Sequence, residues 1–533
     1  MGKTMWEGAE IDWPRDATLP ELVDANAAKK PDGIVLIDAV SARTVTNAQL
    51  ASLYRRAANG LAERGFGRGD CLCTLMPNSL AWYVAALAAQ SLGGTISGIN
   101  PLATPGEIAR QFSRVPTKAI LAFLPLAETA NAIASAQGVS ILLSSEAGLP
   151  GVPSLFDIGG DSESREHRCF CDDPALLPFS SGTTGLPKPV VVTHRNLIAG
   201  GCQVPPLLRV DVGARFLGLA PLFHIVGPNL FVVALMTGSA VVIVPRFDPM
   251  LIFDAIEKFA VTHVPVMAPI LRALARHPAA GGRDFSRLKV VAASGAPLFE
   301  VVQAEAAAFF GCPVTQVYGM TESSSAITVD DPADTTPGSV GLPVPLSRLR
   351  IIDVASGRPL PANRDGEIQV AGPNIMQGYL GLPAETAKVI TEDGWLRTGD
   401  VGWMGNDGKL RITGRIKELI KVNGGQVAPA ELELLLTAHP AVADAIVIGR
   451  DNPYSGEVPV AYVALNAPAD PFAIMDWVNE QVIHYKRIRA IEIIEVLPRT
   501  ATGKADRNAV LAEDSRRRRG PAAGQSAGRN VAA

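Results

Sequence analysis

The chain has 533 residues, which exceeds a single minimal core and indicates more than one domain. Its residues are 47% hydrophobic and 19% charged, a balance that excludes global disorder. The net charge of −4 provides no basic footprint for a nucleic acid, so no such partner is expected.

The first third of the chain alternates between helical and strand-like patterns. Apolar residues from Leu50 to Leu61 recur at helical spacing, after a cap at Thr46 or Asn47. Apolar runs at 71–76 and 118–123 indicate buried strands, with a helix at 80–89 between them. A further helix is expected to begin at Thr104-Pro105-Gly106-Glu107, because proline suits the first helical position. This alternation predicts a mostly parallel sheet with helices on both faces.

The pattern changes after residue 338. Glycine and proline become frequent up to 413, and short apolar runs at 349–352 and 367–370 indicate a small antiparallel sheet or barrel. After Gly414, a helix beginning at Pro429 alternates with strands in an α+β pattern. We therefore predict an α/β fold with a large N-terminal domain of doubly wound sheets plus a small β-barrel-like part over 1–416. A small mobile α+β domain over 417–512 and a disordered tail over 513–533 are expected to follow.

The sequence offers no pattern for export or for membrane insertion. The six cysteines include no Cys-x-x-Cys pair and no neighbouring histidine cluster, as expected for buried thiols in a reducing compartment. No apolar signal core follows Met1. The most apolar stretch, from Leu230 to Val244, is interrupted and is short for a bilayer span of roughly 20 residues. We expect a cytoplasmic monomer or homodimer without stable membrane insertion, and a buried helix and strand at 230–244.

A segment rich in glycine and hydroxyl side chains follows an apolar run in the large domain. It reads Ser180-Ser181-Gly182-Thr183-Thr184-Gly185-Leu186-Pro187-Lys188. Small residues let backbone N–H groups approach phosphate oxygens, and the lysine adds a positive charge near the β- and γ-phosphates. The spacing of a Walker A loop is absent. Taken alone, the segment is compatible with a phosphate-binding loop or with a flexible surface loop.

Further segments carry residue types that suit nucleotide chemistry. Glu322, in Tyr318-Gly319-Met320-Thr321-Glu322, could hold Mg²⁺ against a triphosphate because Mg²⁺ prefers carboxylate and phosphate oxygens. Asp400 follows Gly399 in what we interpret as a tight loop, where it could accept hydrogen bonds from ribose hydroxyls or act as a turn cap. Three cations lie within seven residues from Arg415, and Lys504 ends a polar turn, where it could also be a solvated side chain.

These segments, in this order and at these separations, resemble the adenylate-forming superfamily. That family includes acyl- and aryl-CoA synthetases, adenylation domains of peptide synthetases and firefly luciferase. The resemblance runs from about Leu19 to Arg507. Within the family, the chain is most similar in appearance to 4-coumarate–CoA ligase-like and medium-chain acyl-CoA synthetases. Other matching segments are Pro221-Leu222-Phe223-His224, Gly338-Ser339-Val340-Gly341, Gly366-Glu367-Ile368, Gly378-Tyr379 and Gly456-Glu457-Val458-Pro459.

The resemblance implies ATP, Mg²⁺ and coenzyme A as cofactors, and it implies roles for individual residues. Lys504, Glu322, Thr183 and His224 would form the catalytic set, with Thr183 and Glu322 at the Mg²⁺ site. Lys504 would lie between the substrate carboxylate and the α-phosphate, and Lys417 would be the hinge between the domains. The residues implied to contact the nucleotide or coenzyme A are Ser180, Ser181, Gly182, Thr184, Gly185, Lys188, Tyr318 (beside adenine), Gly319, Thr321, Asp400 and Arg415 (at the ribose), Lys421, Gln426 and Gly424 (beside the pantetheine tunnel).

Pro189 departs from the family pattern, because the residue after the loop lysine is usually glycine. Proline fixes φ, removes an N–H donor and moves Lys188 toward extended geometry. Such an extended residue could enter the following strand harmlessly. Alternatively, it could weaken phosphate binding and slow adenylation.

The carboxylic acid is expected to bind in a largely apolar pocket lined by Ile225, Val226, Gly295, Ala296, Ser324 and Ile327. The segments that carry these residues, 224–229, 293–297 and 319–327, hold no acidic residue besides Glu322. His224 stands where amino-acid-activating relatives carry Asp. A buried ammonium group would therefore lack a partner, which disfavours an amino-acid substrate. Val226 replaces a tyrosine common in plant 4-coumarate ligases, and 366–372 departs from their second signature. A cinnamate-type acid and a medium-chain fatty acid both remain open.

We therefore predict an ATP-dependent ligase that adenylates a hydrophobic carboxylic acid and transfers it to coenzyme A. The small-molecule acid, ATP and coenzyme A would be its partners. The alternatives are a stand-alone adenylation enzyme that loads a carrier protein, a luciferase-like oxygenase, and a non-catalytic nucleotide-binding protein.

Overall fold

A computed structural model describes residues 3–146, 151–160, 163, 168–180, 187–296, 298, 300–422, 425–452, 454–499 and 505–519. The chain divides into two compact units, Met1–Ile412 and Thr413–Ala533.

The strands of the first unit are β1 Met5–Glu7, β2 Ile34–Asp38, β3 Thr44–Thr46, β4 Cys71–Leu75, β5 Thr95–Ile99, β6 Thr117–Ala122, β7 Ile141–Ser144, β8 Pro174–Leu176, β9 Phe179–Ser180, β10 Lys188–Thr193, β11 Arg215–Gly218, β12 Ala240–Ile243, β13 His263–Met267, β14 Val290–Ser294, β15 Val314–Met320, β16 Ser325–Val329, β17 Leu342–Pro343, β18 Arg348–Ile352, β19 Gly366–Ala371, β20 Gly378–Tyr379, β21 Leu396–Met404 and β22 Leu410–Arg415, the last crossing into the second unit. The second unit continues with β23 Ile420–Val422, β24 Gly425–Val427, β25 Val442–Asn452, β26 Gly456–Leu465 and β27 Ala490–Ile493.

The helices are α1 Leu19–Lys29, α2 Asn47–Glu63, α3 Leu80–Ser91, α4 Pro105–Phe112, α5 Ala127–Gln137, α6 His194–Leu208, α7 Val226–Thr237, α8 Pro249–Lys258, α9 Ala268–Ala275, α10 Glu300–Phe310, α11 Pro383–Val389, α12 Pro429–Ala438, α13 Pro471–Asn479 and α14 Arg507–Arg519. Short 3-10 turns lie at Leu124–Leu126, Pro278–Ala280, Thr321–Ser323 and His484–Lys486.

Two large mixed sheets form the centre of the first unit. One has the order β20-β10-β8-β5-β4-β6-β7, with β9 paired to β10, and the other has the order β17-β16-β15-β14-β13-β11-β12-β2-β3. The strands from β8 to β7 are parallel, and so are those from β15 to β2. The predicted mostly parallel α/β fold is confirmed. The carboxyl ends of β11, β14 and β15 share one edge of the second sheet, and Glu322 and most of the predicted acid-pocket residues lie at this edge.

The local patterns explain where several helices begin. Thr46 caps α2 with a capping box that includes Gln49, and Thr104 caps α4 in the same way with Glu107. The apolar stretch at 230–244 forms the buried end of α7 followed by the buried strand β12, as predicted. Within the described ranges, no helix combines the length and the hydrophobicity needed to cross a bilayer.

A third sheet, with the order β1-β18-β19-β21-β22, is the small sheet predicted over 338–413. Its pairs β1–β18, β18–β19 and β19–β21 are antiparallel. The sequence analysis missed β1, in which only Trp6 is buried. A three-residue strand is too short for its alternation to stand out, so only the pairing of Trp6 with Leu349 reveals it.

The second unit has a sheet of order β24-β23-β26-β25, with β27 alongside β26 and with helices α12 and α13. The predicted disordered tail at 513–533 is wrong for its first residues, because α14 continues to Arg519. The reason is tertiary: Asp514 is buried, accepts a hydrogen bond of 3.0 Å from Arg450 and another of 2.9 Å from the Tyr462 hydroxyl. Residues 520–533 lie outside the described residues.

His194 provides an acid-sensitive contact in the core of the first unit. Its Nδ1 accepts a hydrogen bond of 3.2 Å from the Leu19 N–H, and burial lowers the pKa of His194 to about 4. Between about pH 6.5 and 4, the unfolded chain binds a proton at His194 and the folded chain does not. The contribution of His194 to the free energy of unfolding is therefore complete above about pH 6.5 and is lost as the pH falls toward 4. We expect this effect of His194 alone to lower the free energy of unfolding by about 3 kcal/mol once the pH is below the pKa of the folded state.

Thermal unfolding midpoints at pH 7.5, 6.0, 5.0 and 4.5 would measure this loss. His194→Gln is expected to flatten the acid dependence, whereas His484→Gln, at an exposed histidine, is expected to leave it unchanged. Equal acid sensitivity in the wild type and in His194→Gln would contradict the assignment.

Candidate active site

The ends of the predicted phosphate loop are held by paired strands. Ser180, in β9, lies opposite Lys188, in β10, and Phe179 lies opposite Pro189. The first and last residues of the loop are therefore fixed beside each other by an antiparallel ladder. Ser181, Gly182, Thr183, Thr184 and Gly185 lie outside the described residues.

Pro189 lies within β10, and its carbonyl accepts a hydrogen bond of 2.9 Å from the Leu380 N–H. The extended geometry expected for Lys188 and Pro189 is present, and the strand accommodates a residue that has no N–H to donate. Its effect on phosphate binding stays a prediction.

The side chain of Lys188 is largely buried and makes two specific contacts. Its Nζ lies 2.7 Å from Oε2 of Glu385 and 5.1 Å from the centre of the Tyr379 ring. The two flanking lysines, Lys188 and Lys388, lower the pKa of Glu385 to about 2. The predicted phosphate-binding cation thus has a carboxylate partner that the sequence analysis did not identify.

Glu322 follows β15 in the Thr321–Ser323 turn and is buried. The Tyr379 hydroxyl donates a hydrogen bond of 2.8 Å to its Oε1, and its backbone carbonyl accepts one of 2.9 Å from the Met376 N–H. Burial and the nearby Glu322 carboxylate raise the pKa of Tyr379 well above its usual range, so the phenol remains a donor. Tyr379 therefore connects Glu322 to the ring face on which Lys188 lies.

Tyr318 and Asp400 meet although they are 82 residues apart in the chain. The Tyr318 hydroxyl donates a hydrogen bond of 2.7 Å to Oδ2 of Asp400, and both side chains are buried. The interpretation of Asp400 as part of a tight loop is wrong, since it lies inside β21. Gly399 has φ of +71°, and this left-handed residue gave the sequence its turn-like appearance although the strand continues through it.

Gly319 and Ser324 shape the backbone beside Glu322. A Cβ at Gly319 would lie 1.8 Å from the Ser325 carbonyl oxygen, so no larger residue fits. Ser324 adopts the left-handed conformation, with φ of +52°, and its hydroxyl is buried. Thr321 is also buried in the same turn. Backbone strain concentrated beside a predicted metal ligand is typical of a functional turn.

The predicted acid-pocket residues lie at the carboxyl edge of the second sheet. Ile225 and Val226 begin α7 after β11, and Gly295, with φ of +76°, and Ala296 follow β14. Ser324 is linked to α7 by a hydrogen bond of 3.4 Å from Asn229 to its carbonyl oxygen. Ile327 instead packs in a fully buried apolar cluster that contains Tyr318.

The loop that carries His224 is held by Asn78, a residue that the sequence analysis missed. The Asn78 side chain donates hydrogen bonds of 3.0 Å to the Ala220 carbonyl and 3.2 Å to the Val244 carbonyl, and it accepts one of 2.9 Å from the Leu222 N–H. A single buried amide thus ties the loop after β4 to the segment before His224. His224 itself is half-buried.

The second unit carries the remaining predicted residues. Arg415 ends β22, and Lys417 is exposed in the turn that precedes β23. Lys421 is exposed, pairs with Gln426 across the β23–β24 ladder, and donates its backbone N–H to Glu457 over 2.7 Å. Gly424 and Lys504 lie outside the described residues.

Among the residues that the structure describes, no group of three histidine, cysteine, aspartate or glutamate side chains could hold a metal. The predicted role of Glu322 does not need such a group, because a single buried carboxylate completed by phosphate oxygens and water is a common Mg²⁺ site.

Comparison with known proteins adds the family context. The model of the AMP-binding enzyme family matches residues 23–380, and that of the AMP-binding enzyme C-terminal domain matches residues 431–504. The chain is 37% identical to "4-coumarate--CoA ligase 2" of Oryza sativa subsp. japonica, over 95% of this chain and 94% of that protein. It is 35% identical to "4-coumarate--CoA ligase 4" of Arabidopsis thaliana, over 88% and 86% of the two chains.

Solved structures share the fold over most of the length. ATP-bound MatB from Rhodopseudomonas palustris superposes with a TM-score of 0.85 at 26% identity, covering 93% of this chain and 98% of that one. The amide bond synthetase McbA from Marinactinospora thermotolerans gives 0.83 at 28% identity, covering 93% and 99%. The o-succinylbenzoate coenzyme A synthetase MenE from Bacillus subtilis, in complex with ATP and a magnesium ion, gives 0.81 at 27% identity, covering 92% and 99%.

Proposed function

Because the chain belongs to the AMP-binding family of adenylate-forming enzymes, we propose that it is an acid–thiol ligase that joins a hydrophobic carboxylic acid to coenzyme A. The observation that carries the proposal is the convergence of the motif residues. Lys188, Tyr379 and Glu322 form one contact chain, and Tyr318 meets Asp400 in a second contact.

The proposed reaction has two steps. A carboxylate oxygen of the acid attacks the α-phosphorus of ATP, the bond to the β-phosphate oxygen breaks, and pyrophosphate leaves. The coenzyme A sulfur then attacks the acyl carbonyl carbon, the carbon–oxygen bond to AMP breaks, and the thiol proton passes to solvent. Lys188 would neutralise the leaving phosphates, and Lys504 would do the same between the two anions that must meet in the first step.

Mg²⁺ held by Glu322, and by Thr183 if the family role applies, would neutralise charge on the triphosphate. Asp400 would accept hydrogen bonds from the ribose hydroxyls, and its bond from Tyr318 would fix the orientation of its carboxylate. Burial of both residues excludes competing water from that bond.

The acid is proposed to be a cinnamate-type acid such as 4-coumarate, or a medium-chain fatty acid. Two observations support an apolar substrate: the two relatives described above are 4-coumarate–CoA ligases, and Ile225 and Val226, predicted to line the acid pocket, have no acidic neighbour in their segment. The structural neighbours include an amide bond synthetase, so the acceptor must be tested together with the acid.

Pyrophosphate release should be measured with a panel of acids, with and without coenzyme A. We expect release that depends on a hydrophobic acid, and formation of its thioester only when coenzyme A is present. Release without thioester formation would favour the carrier-protein loader or an amine acceptor. No release with any acid would favour a nucleotide-binding protein without ligase activity.

Glu322→Gln is expected to raise the Mg²⁺ concentration for half-maximal pyrophosphate release about tenfold or more, and to slow that step. Glutamine keeps an oxygen that can accept the Tyr379 hydrogen bond, so the fold should persist while the negative charge is lost. The measurement is a Mg²⁺ titration of acid-dependent pyrophosphate release, with Glu392→Gln at an exposed glutamate as the control. An unchanged titration curve for Glu322→Gln would make Glu322 a structural residue only.

A further inference from the structure

The Lys188 ammonium already has a partner within the protein. Its side chain is only 16% exposed, its Nζ lies 2.7 Å from Oε2 of Glu385, and the ring of Tyr379 lies beneath it. A lysine that must contact phosphates is therefore already paired with a carboxylate. An incoming triphosphate must compete with Glu385 for the same cation.

The fold places Glu385 at this position. Strand β20 runs antiparallel to β10, with Tyr379 opposite Val190, so Lys188 lies two residues away on the same face of the sheet. Helix α11 then begins at Pro383. Thr386 fixes the start of this helix, because its Oγ1 accepts a hydrogen bond of 2.9 Å from the Tyr379 N–H. Glu385 is thus held beside the lysine by its neighbour in the helix.

Glu385 also has a second cation. Its other oxygen, Oε1, pairs with Lys388, whose side chain is 68% exposed. If Lys188 turned toward a phosphate, Lys388 would remain as a partner and the carboxylate would not be left uncompensated. The two lysines therefore differ in role, since Lys188 is buried beside Tyr379 and Lys388 is solvated.

We propose that Glu385 is a positioning residue that holds Lys188 until a nucleotide binds and then releases it to the phosphates, with Lys388 stabilising the released carboxylate. This inference rests on the proposed function, because it assumes that ATP is the ligand. The ion pair lowers the intrinsic affinity for ATP, and it re-forms when pyrophosphate leaves. The role predicts that removing the carboxylate tightens nucleotide binding, whereas a purely structural role predicts weaker binding.

Two variants with opposite expected effects on nucleotide affinity test whether Glu385 and the phosphates compete for Lys188. Glu385→Gln removes the negative charge and should lower the dissociation constants of Mg²⁺-ATP and of inorganic pyrophosphate about three- to fivefold. Lys388→Met removes the alternative partner, strengthens the Lys188–Glu385 pair, and should raise both constants about twofold. Glu385→Ala, which leaves no polar atom to hold Lys188, should tighten binding as Glu385→Gln does.

Calorimetric titration of the full chain measures these constants without requiring turnover. Glu305→Gln is the matched control. Glu305, on helix α10, forms an exposed ion pair with Arg276, and removing this pair should leave both constants unchanged. Weaker or unchanged binding by both Glu385 variants, in a wild type that binds Mg²⁺-ATP, would overturn the role of Glu385 alone. A wild type that binds neither ATP nor pyrophosphate would overturn the proposed function and this inference with it.

Discussion

Replacing Lys504 with alanine is expected to slow acid-dependent pyrophosphate release by about 10²–10³-fold, equivalent to about 3–4 kcal/mol of transition-state stabilisation. In the first step a carboxylate approaches an anionic α-phosphate, so a cation between them matters most as the new bond forms. In the second step a thiol attacks a carbonyl carbon, and the charge on the phosphates no longer has to be overcome. Thioester formation from a synthetic acyl-adenylate should therefore survive.

The two half-reactions must be measured separately, with Lys486→Ala as the control. Lys486 lies in the same unit but is engaged with Glu431 over 2.7 Å, so its loss should leave the first step near the wild-type rate. Equal loss of both half-reactions in Lys504→Ala would contradict the assignment of Lys504 to adenylation.

Replacing Lys417 with proline is expected to preserve a single round of pyrophosphate release and to slow thioester formation much more strongly. Lys417 lies in the turn between β22 and β23, where the Glu418 N–H donates a hydrogen bond of 3.0 Å to the Arg415 carbonyl. Proline there would fix its own φ near −65° and restrict Ile416 as well. If the small domain must change orientation between the two steps, a fixed turn retains one arrangement, and the family resemblance implies that this is the adenylating one.

The second unit offers a structural reason to expect that this turn and the start of α14 move together. Arg507 lies three residues after Lys504, and its guanidinium contacts Glu418 over 3.0 Å and Glu433 over 2.6 Å. The start of α14 is therefore tied to the turn and to helix α12. A rotation at Lys417 would carry this ion-paired group as one body.

Lys417→Ala is the matched control, because it removes the same exposed side chain and leaves the backbone free to change φ. Both variants should be assayed for pyrophosphate release in one turnover and for acyl-CoA formation from acyl-adenylate. If the proline variant forms acyl-CoA as fast as the alanine variant, the alternation of the small domain fails as an explanation.

Features that depend only on residues close together in the chain could be predicted from the sequence. The capping boxes at Thr46 and Thr104 place the starts of α2 and α4, and the buried run from Cys71 to Leu75 is a strand because all its residues are apolar or small. The order of the motifs also identified the family, since spacing along the chain is visible without coordinates. The prediction of a disordered tail from residue 513 failed because the order there has a tertiary cause. Asp514 pairs with the distant Arg450, and the run of arginines that follows Asp514 is typical of a disordered end.

Which of the motif residues touch one another depends on how the strands pair in three dimensions. Lys188 and Glu385 are 197 residues apart, and Tyr318 and Asp400 are 82 apart, so no periodicity connects them. They meet because β10 pairs with β20 and because β15 and β21 bring their side chains to one buried contact. Sheet register joins distant segments through backbone hydrogen bonds whose acceptor every residue carries and whose donor only proline lacks, so the sequence carries little trace of it. The sequence therefore could not show that Glu385 is the partner of Lys188, the lysine proposed to bind phosphate.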